Sequence, residues 1–287
     1  MAYHMRLYLV AFAFLCVASK PKPVCAAAWT QAKGEHLLIA SYRFYQAQSF
    51  FDVDRQKQPK NGRFSKDEWQ LYHEYGWRDG VTLGKELAFS RQRDVQRDVF
   101  ARTPEDRLRI VEFSGITQAE YFATIQLWRD DEWAVALQPR IGIPSYFFDD
   151  PPDDLVTDNF SVQMAASVGH NFTLMETTGH FFDMSAAYRH RTGQLLDQYM
   201  LHVVAGLKLN DDWMLLPEIH YTGASGAIDR NIMTITGQND YELTKMQGTI
   251  RYQWLHDVAV QIGGFAHIDG MNTGGGGGAL VSVWLIF

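Results

Sequence analysis

The sequence is poor in cysteine, in long apolar runs and in basic residues. It has two cysteines, and none follows Cys25, which excludes disulfides and thiolate metal sites from the rest of the chain. Beyond residue 28, no apolar run approaches the about 20 residues that a transmembrane helix needs. Acidic residues number 33 against 26 basic ones, a balance that argues against nucleic acid as a partner. No phosphate-loop, metalloprotease or hydrolase-elbow motif is present, so no cofactor is expected.

The first 28 residues have the three parts of a secretory signal peptide. Arg6 supplies the positive start, residues 7–18 form an uncharged apolar run, and three alanines at 26–28 supply small residues for cleavage. We expect cleavage after Ala28, which leaves residues 29–287 as the mature chain. The leader holds three basic residues and no acid, so the formal net charge changes from −7 to −10 on its removal.

Apolar and polar residues alternate through much of the remaining chain, at the two-residue period of a β-strand. In residues 133–143, alternate positions starting from Trp133 are apolar, while Gln138 and Arg140 fall on the opposite face. A membrane barrel that is apolar outside and wet inside gives this pattern. The chain also ends on an uncharged apolar run that closes with Phe287, as the last strand of an outer-membrane barrel does when it pairs with the first.

These patterns predict an all-β protein, an antiparallel up-and-down transmembrane β-barrel of about 12 strands. The predicted strands are residues 35–48, 65–77, 81–94, 115–129, 133–145, 159–170, 179–191, 197–209, 213–222, 242–255, 258–269 and 277–287. A soluble β-sandwich, the alternative, would place tryptophan in the middle of its strands. Six tryptophans instead lie near short turns or the C-terminus and are expected to form an aromatic girdle at the membrane surface: Trp77, Trp128, Trp133, Trp213, Trp254 and Trp284.

The connections between predicted strands mostly alternate in length, and the exceptions are two short links expected on the long-loop rim, near residues 192–193 and at 270–276. Short links are expected at residues 78–80, 130–132, 210–212 and 256–257, with a slightly longer one at 171–178. Long polar links are expected at residues 49–64, 95–114, 146–158 and 223–241. Outer-membrane barrels have short turns at the periplasmic rim and long loops at the other rim. An even number of strands places both termini at the same rim, which we expect to be the one with the short turns.

Alternation also assigns a set of charged residues to the lumen. The predicted pore-lining residues are Arg43, Glu68, Glu74, Glu86, Glu120, Arg140, Asp183, Arg189, Lys208, Glu218, Lys245 and Arg251. The acids come mainly from the second to fourth strands and the bases from the eighth and tenth, which predicts a transverse field across a wet channel. A twelve-strand wall leaves a bore of roughly 6–7 Å radius. The alternative is that the charges pair and fill a closed barrel.

Three further features have both a functional and a structural interpretation. The loop Asp149–Asp154 holds four acids that could bind Ca²⁺, but it lacks the pattern of a calcium loop, which favours a solvated tip. The run Gly274–Gly278 either thins the wall or forms a flexible turn, and flexibility is the commoner meaning of such runs. His190 is expected on the outer face near Ser185 and Tyr188 without an oriented carboxylate, so no catalytic residue is predicted.

The start of the mature chain carries a family pattern. It contains Ala28-Trp29-Thr30-Gln31, then Gly62-Arg63-Phe64-Ser65-Lys66, then Tyr75-Gly76-Trp77-Arg78-Asp79 followed by Val81-Thr82-Leu83. Over about the first three strands, the chain resembles the XagA-like family of proteobacterial outer-membrane barrels. This resemblance implies an outer-membrane protein associated with exopolysaccharide, and it carries over no catalytic residues.

The sequence therefore predicts a porin-like channel of the bacterial outer membrane, reached after signal-peptide cleavage, that passes polar solutes. Saccharide transport or exopolysaccharide export is the expected task. The alternatives are a plugged structural or adhesion barrel and, less favoured, a lipid-modifying barrel enzyme. The expected partners are outer-membrane lipid and lipopolysaccharide, a small polar solute or polysaccharide, and an export-complex protein. No metal is expected.

Overall fold

The computed structural model describes residues 28–97, 108–144, 160–193, 195–228 and 240–287, and the regular structure in these ranges is β-strand. The strands are β1 (His36–Phe51), β2 (Lys57–Arg78), β3 (Val81–Arg97), β4 (Leu108–Arg129), β5 (Trp133–Ile143), β6 (Ser161–Leu174), β7 (Thr177–Arg191), β8 (Gln198–Lys208), β9 (Trp213–Ala224), β10 (Glu242–Leu255), β11 (Val258–Met271), β12 (Thr273–Gly274) and β13 (Gly277–Ile286). No helix in these ranges is long and apolar enough to cross a membrane.

The strands form a closed antiparallel barrel. Each strand from β2 to β10 pairs with its two chain neighbours, and β13 pairs with both β11 and β1. The seam has the register Leu37↔Ile286, and at its end the His36 N–H donates to the Phe287 carbonyl at 2.7 Å. The two-residue β12 extends the seam along the far end of β1. The predicted fold, with twelve wall strands, is therefore confirmed, and Phe287 directly follows the strand that closes the wall.

The two ends of the barrel differ as predicted, but the strands are longer than expected. The start of β1 and the C-terminal Phe287 lie at the end with the β2–β3, β4–β5, β6–β7, β8–β9 and β10–β11 turns, which is called the turn end. The predicted long link at 49–64 is mostly strand, which leaves only residues 52–56 as a turn. The predicted link at 171–178 is also wrong, because only Met175 and Glu176 separate β6 from β7. Both have positive φ, which suits the twist of a two-residue hairpin turn but is unusual for these residue types.

The outer face of the wall is apolar and carries most of the predicted girdle. Trp77, Trp128, Trp133, Trp213 and Trp254 are exposed beside the turn end. The prediction for Trp284 is wrong, because its ring faces the lumen and its Nε1 donates to Gln261 Oε1 at 2.9 Å. Alternation explains this placement, since Leu280 and Ser282 on the same strand line the lumen too.

The glycine run belongs to the wall. Gly274 forms part of β12, and Gly277 and Gly278 begin β13. A Cβ added to Gly278 would lie 1.8 Å from the backbone oxygen of Phe44 on β1. The expectation of a flexible turn is therefore wrong: glycine is needed because two strand backbones approach closely there.

Candidate functional site

A cavity of about 840 Å³ occupies the lumen and is the candidate functional site. Its walls carry side chains from all around the barrel. Nine of the twelve predicted pore-lining residues line it: Arg43, Glu68, Glu74, Glu86, Glu120, Arg140, Arg189, Glu218 and Lys245. Strand alternation thus brings together side chains that are far apart in sequence, and the cavity is large enough for a small metabolite or saccharide unit.

The other three predicted residues lie beside the cavity. Asp183 is fully buried beneath the N-terminal residues. Lys208 lies at the turn end, where its Nζ donates to Asp211 Oδ1 at 2.9 Å. The guanidinium of Arg251 lies 5.5 Å from the centre of the Trp284 ring, and Trp284 itself lines the cavity.

A compact ion-pair network joins β3, β4, β5 and β7 on one side of the lumen. Arg140 contacts both Glu86 and Glu120, with 3.1 Å between its Nη1 and Glu86 Oε2. Arg189 Nη2 lies 3.0 Å from the other oxygen of Glu120. Gln118 Nε2 donates to Glu86 at 3.0 Å, and the Arg140 guanidinium stacks 4.7 Å from the Phe122 ring centre. Glu86 and Glu120 are therefore charge-compensated, whereas Glu74 on the same side accepts hydrogen bonds from Gln31 and the Tyr72 hydroxyl instead.

The strands carry their charges as predicted, but ion pairs neutralise three of the four acids on β2–β4, so the expected transverse field is weaker on its acidic side. Besides the Arg140 network, Glu68 pairs with Lys66 at 2.5 Å and with Arg43 at 3.6 Å, both from its own side of the lumen. Strand alternation assigns these side chains to the lumen face, but it does not show which of them form ion pairs. The predicted cations Lys245 and Arg251 form no ion pair with another residue in the described ranges.

Lys245 is therefore a cation that lines the cavity without an ion-pair partner among the described residues. It lies on β10, six strands from β4 in the twelve-strand wall and thus opposite Glu120. Its Nζ is 5.7 Å from the centre of the Phe265 ring, and Tyr45 and His267 stack nearby with their ring centres 4.7 Å apart. A cation beside stacked aromatic rings suits a solute that carries both hydroxyl groups and negative charge.

The N-terminal segment, residues 28–35, crosses the lumen at the turn end. The Gly34 N–H donates to the Gly76 carbonyl on β2 at 2.8 Å, whereas the Ala28 N–H donates to Asp183 Oδ2 on β7 at 2.8 Å. Between these ends, the Gln31 N–H donates to Thr82 Oγ1 at 2.8 Å. Since β1 and β7 face each other across the barrel, the segment spans the mouth from wall to wall.

The inner part of the N-terminal segment packs against the wall of the barrel. Residues 28–31 are buried, and Ala28 and Trp29 pack against Phe181 and Leu216 from the wall. The Trp29 ring fits against Gly169 on β6, where an added Cβ would lie 2.1 Å from ring atom Cζ3. The segment therefore closes much of the turn end of the lumen.

Sequence reasoning missed this element. The residues after the predicted cleavage position carry no strand pattern, and their partners on β3, β4, β6 and β7 are distant in sequence. The available signal was small: a tryptophan at residue 29, and a glycine at position 169 on the inward face of a predicted strand.

The outer-face histidine does have a carboxylate partner, contrary to the sequence expectation. His190 Nδ1 lies 2.9 Å from Asp197 Oδ1, and the Tyr188 hydroxyl donates to the same carboxylate. The Tyr188 hydrogen bond, helped by the Arg191 N–H, lowers the pKa of Asp197 to about 2. Ser185 lines the cavity on the opposite face of β7, so it cannot act as a nucleophile beside His190.

Several predicted features fall outside the described residues. These are the leader up to residue 27, the predicted link 146–158 with its acidic loop Asp149–Asp154, and residues 98–107 and 229–239 of the predicted links 95–114 and 223–241.

Comparisons with solved structures agree with this architecture. An outer membrane channel from Pseudomonas putida F1 aligns with a TM-score of 0.69 at 12% identity, over 93% of this chain and 100% of that chain. The NanC porin gives a TM-score of 0.54 at 9% identity, over 86% and 98%. The KdgM porin in complex with oligogalacturonate gives 0.50 at 10% identity, over 86% and 98%. At these identities the likeness establishes the fold.

No family model and no curated protein matches the chain, so the XagA-like resemblance stays a prediction.

Proposed function

We propose that this protein is a channel of the bacterial outer membrane that passes small polar solutes. The observation that carries the proposal is the closed wall, apolar outside, around a cavity of about 840 Å³ lined by charged and amide side chains. A soluble protein would not expose so many large apolar side chains on one continuous surface. The fold likeness to outer-membrane channels and porins supports the same function and location.

Acidic saccharides are the solute class that best suits the lumen. The carboxylates beside Arg140 are already neutralised, whereas Lys245 offers a cation beside stacked aromatic rings. Gln70, Gln118 and Gln138 add amide donors and acceptors that suit hydroxyl groups. The structural neighbour KdgM was solved with oligogalacturonate, an acidic saccharide, which supports this choice. Polysaccharide export would require the N-terminal segment to move, because the segment crosses the mouth.

Single-channel current across a planar bilayer tests the proposal. We expect refolded protein to conduct, and short uronic-acid oligosaccharides to reduce the current more than neutral ones of equal length. Lys245→Gln should weaken that block. Lys85→Gln is the matched control, because Lys85 is exposed on the outer face of β3.

A closed structural barrel is the second candidate function, and the N-terminal segment favours it. In that case the bilayer stays silent although the protein shows the heat-modifiable gel mobility of a folded barrel. If neutral and acidic oligosaccharides block the current equally, the protein is still a channel, but the proposed preference for acidic saccharides is wrong.

A further inference from the structure

Three side chains on β8 and β9 direct their ligand atoms at one point in the lumen. His202 and His220 are direct cross-strand partners, and Glu218 lies two residues before His220 on the same face. The Nε2 atom of each histidine is 3.2 Å from Glu218 Oε2. The two imidazole rings stack with their centres 4.1 Å apart. The three ligand atoms all lie within 4.8 Å of one another.

Two of the three separations between ligand atoms match a zinc site. Zn²⁺ binds histidine nitrogen and carboxylate oxygen at about 2.0–2.2 Å, so neighbouring ligand atoms of a tetrahedral site are about 3.3 Å apart. The observed nitrogen–oxygen separations of 3.2 Å match that value. Two histidines and one glutamate are also a ligand set of zinc enzymes, where water takes the fourth position.

We propose that His202, Glu218 and His220 form a binding site for a transition metal ion of the Zn²⁺ type in the lumen. All three residues line the cavity, so an ion and its water ligand can reach the site from the open space. The histidine side chains are 32% exposed, which leaves room for that water. A bound ion places positive charge at the middle of the wall and narrows the passage.

The surroundings of the three ligands both support and limit binding. Gln247 Nε2 donates to Glu218 Oε1 at 2.9 Å, which leaves Oε2 directed at the histidines. Such a second hydrogen bond orients a metal-ligating carboxylate. Lys245 is the cross-strand partner of His220 and repels a cation. Removing the Lys245 charge should therefore tighten metal binding, an effect that surface histidines elsewhere would not show.

Titration with Co²⁺ tests the site independently of channel function. Untagged, folded protein in detergent should bind one Co²⁺ per chain with the visible absorption of a tetrahedral site, and Zn²⁺ should displace it. His202→Ala, His220→Ala and Glu218→Gln should each weaken binding by more than about tenfold. Lys245→Gln should strengthen it. Folding of each variant is checked by heat-modifiable gel mobility.

His267→Ala is the matched control, because His267 lines the same cavity but bonds to Gly274 and Tyr45 instead. The inference is overturned if folded protein shows no tetrahedral spectrum, or if the His202→Ala, His220→Ala double variant binds Co²⁺ as before. It is also overturned if His267→Ala abolishes binding. Bilayer recordings then separate the two proposals: a silent bilayer with intact Co²⁺ binding contradicts only the channel.

Discussion

The backbone N–H of Ala28 donates to Asp183 Oδ2 at 2.8 Å inside the barrel. Both residues have 0% exposure, and Asp183 Oδ1 has no hydrogen-bond partner in the described ranges. A buried carboxylate with one neutral donor is unfavourable, because removing the charge from water costs several kcal/mol unless a countercharge compensates. The contact holds the inner end of the N-terminal segment against the opposite wall.

This contact predicts a cleavage position for the predicted signal peptide. Cleavage after residue 27 would make the Ala28 nitrogen an α-ammonium, which supplies Asp183 with a countercharge and further donors. We therefore expect the mature chain to begin at Ala28, one residue before the position predicted from the sequence. Intact mass of the protein purified from outer membranes measures this directly. A mass that corresponds to a start at Trp29 would contradict the prediction.

The fit of Trp29 against Gly169 predicts how the turn end can be opened. Gly169→Ala places a methyl group 2.1 Å from the present ring position, so the ring must leave. We expect Gly169→Ala and Trp29→Ala to raise the single-channel conductance by a factor on the order of two or more, since both take the Trp29 ring out of its packed position at the turn end of the lumen.

Gly248→Ala is the control for this prediction, because nothing lies within 4 Å of a Cβ added there. Its conductance should equal that of the wild type. If Trp29→Ala leaves the conductance unchanged although the variant is folded, the N-terminal segment does not limit the current.

The Arg140 network predicts a large effect on stability. Arg140→Ala leaves Glu86 and Glu120 largely buried with one cation fewer, and loss of one partner from a buried ion pair costs on the order of 3 kcal/mol. Urea unfolding in lipid vesicles, followed by tryptophan fluorescence, measures the change. Arg93→Ala is the control: its ion pair with Glu112 is exposed and should contribute less than about 1 kcal/mol. Equal losses for both variants would contradict the structural role given to Arg140.

Period-two alternation was enough to predict the fold and most of the lumen. It depends on the side-chain direction alone, which is a local property of each strand. The same rule places Trp284 inside, beside Ser282, whereas its position near the C-terminus favours the girdle. Alternation with turn residues also gave most strand boundaries, but it failed at Met175–Glu176, whose residue types give no turn signal.

The side-chain contacts within the lumen could not be predicted from the sequence, because they depend on distances across the closed barrel. The pairing of Arg189 with Glu120 joins strands three apart in the wall, and it requires the radius and the stagger of the barrel. The burial of Trp29 depends on a matching space at Gly169, a tertiary contact without a sequence pattern. The convergence of His202 and His220 needs the β8–β9 register, which a shift of one residue would destroy.

The β7–β8 loop should lose its anchoring in acid. Hydrogen bonds from the Tyr188 hydroxyl and the Arg191 N–H lower the pKa of Asp197 to about 2, below the about 3.9 of an unfolded aspartate. A carboxyl with a depressed folded pKa stabilises above its unfolded pKa, and the contribution disappears as the pH falls through about 2. Protease cleavage at this loop should therefore be faster in Asp197→Asn than in the wild type at pH 6, and the difference should vanish near pH 2 with an acid protease.

Asp131→Asn, in the β4–β5 turn, is the matched control for this prediction and should leave cleavage at the β7–β8 loop unchanged at both pH values. A difference between Asp197→Asn and wild type that persists at pH 2 would show that the carboxylate charge is not what anchors the loop.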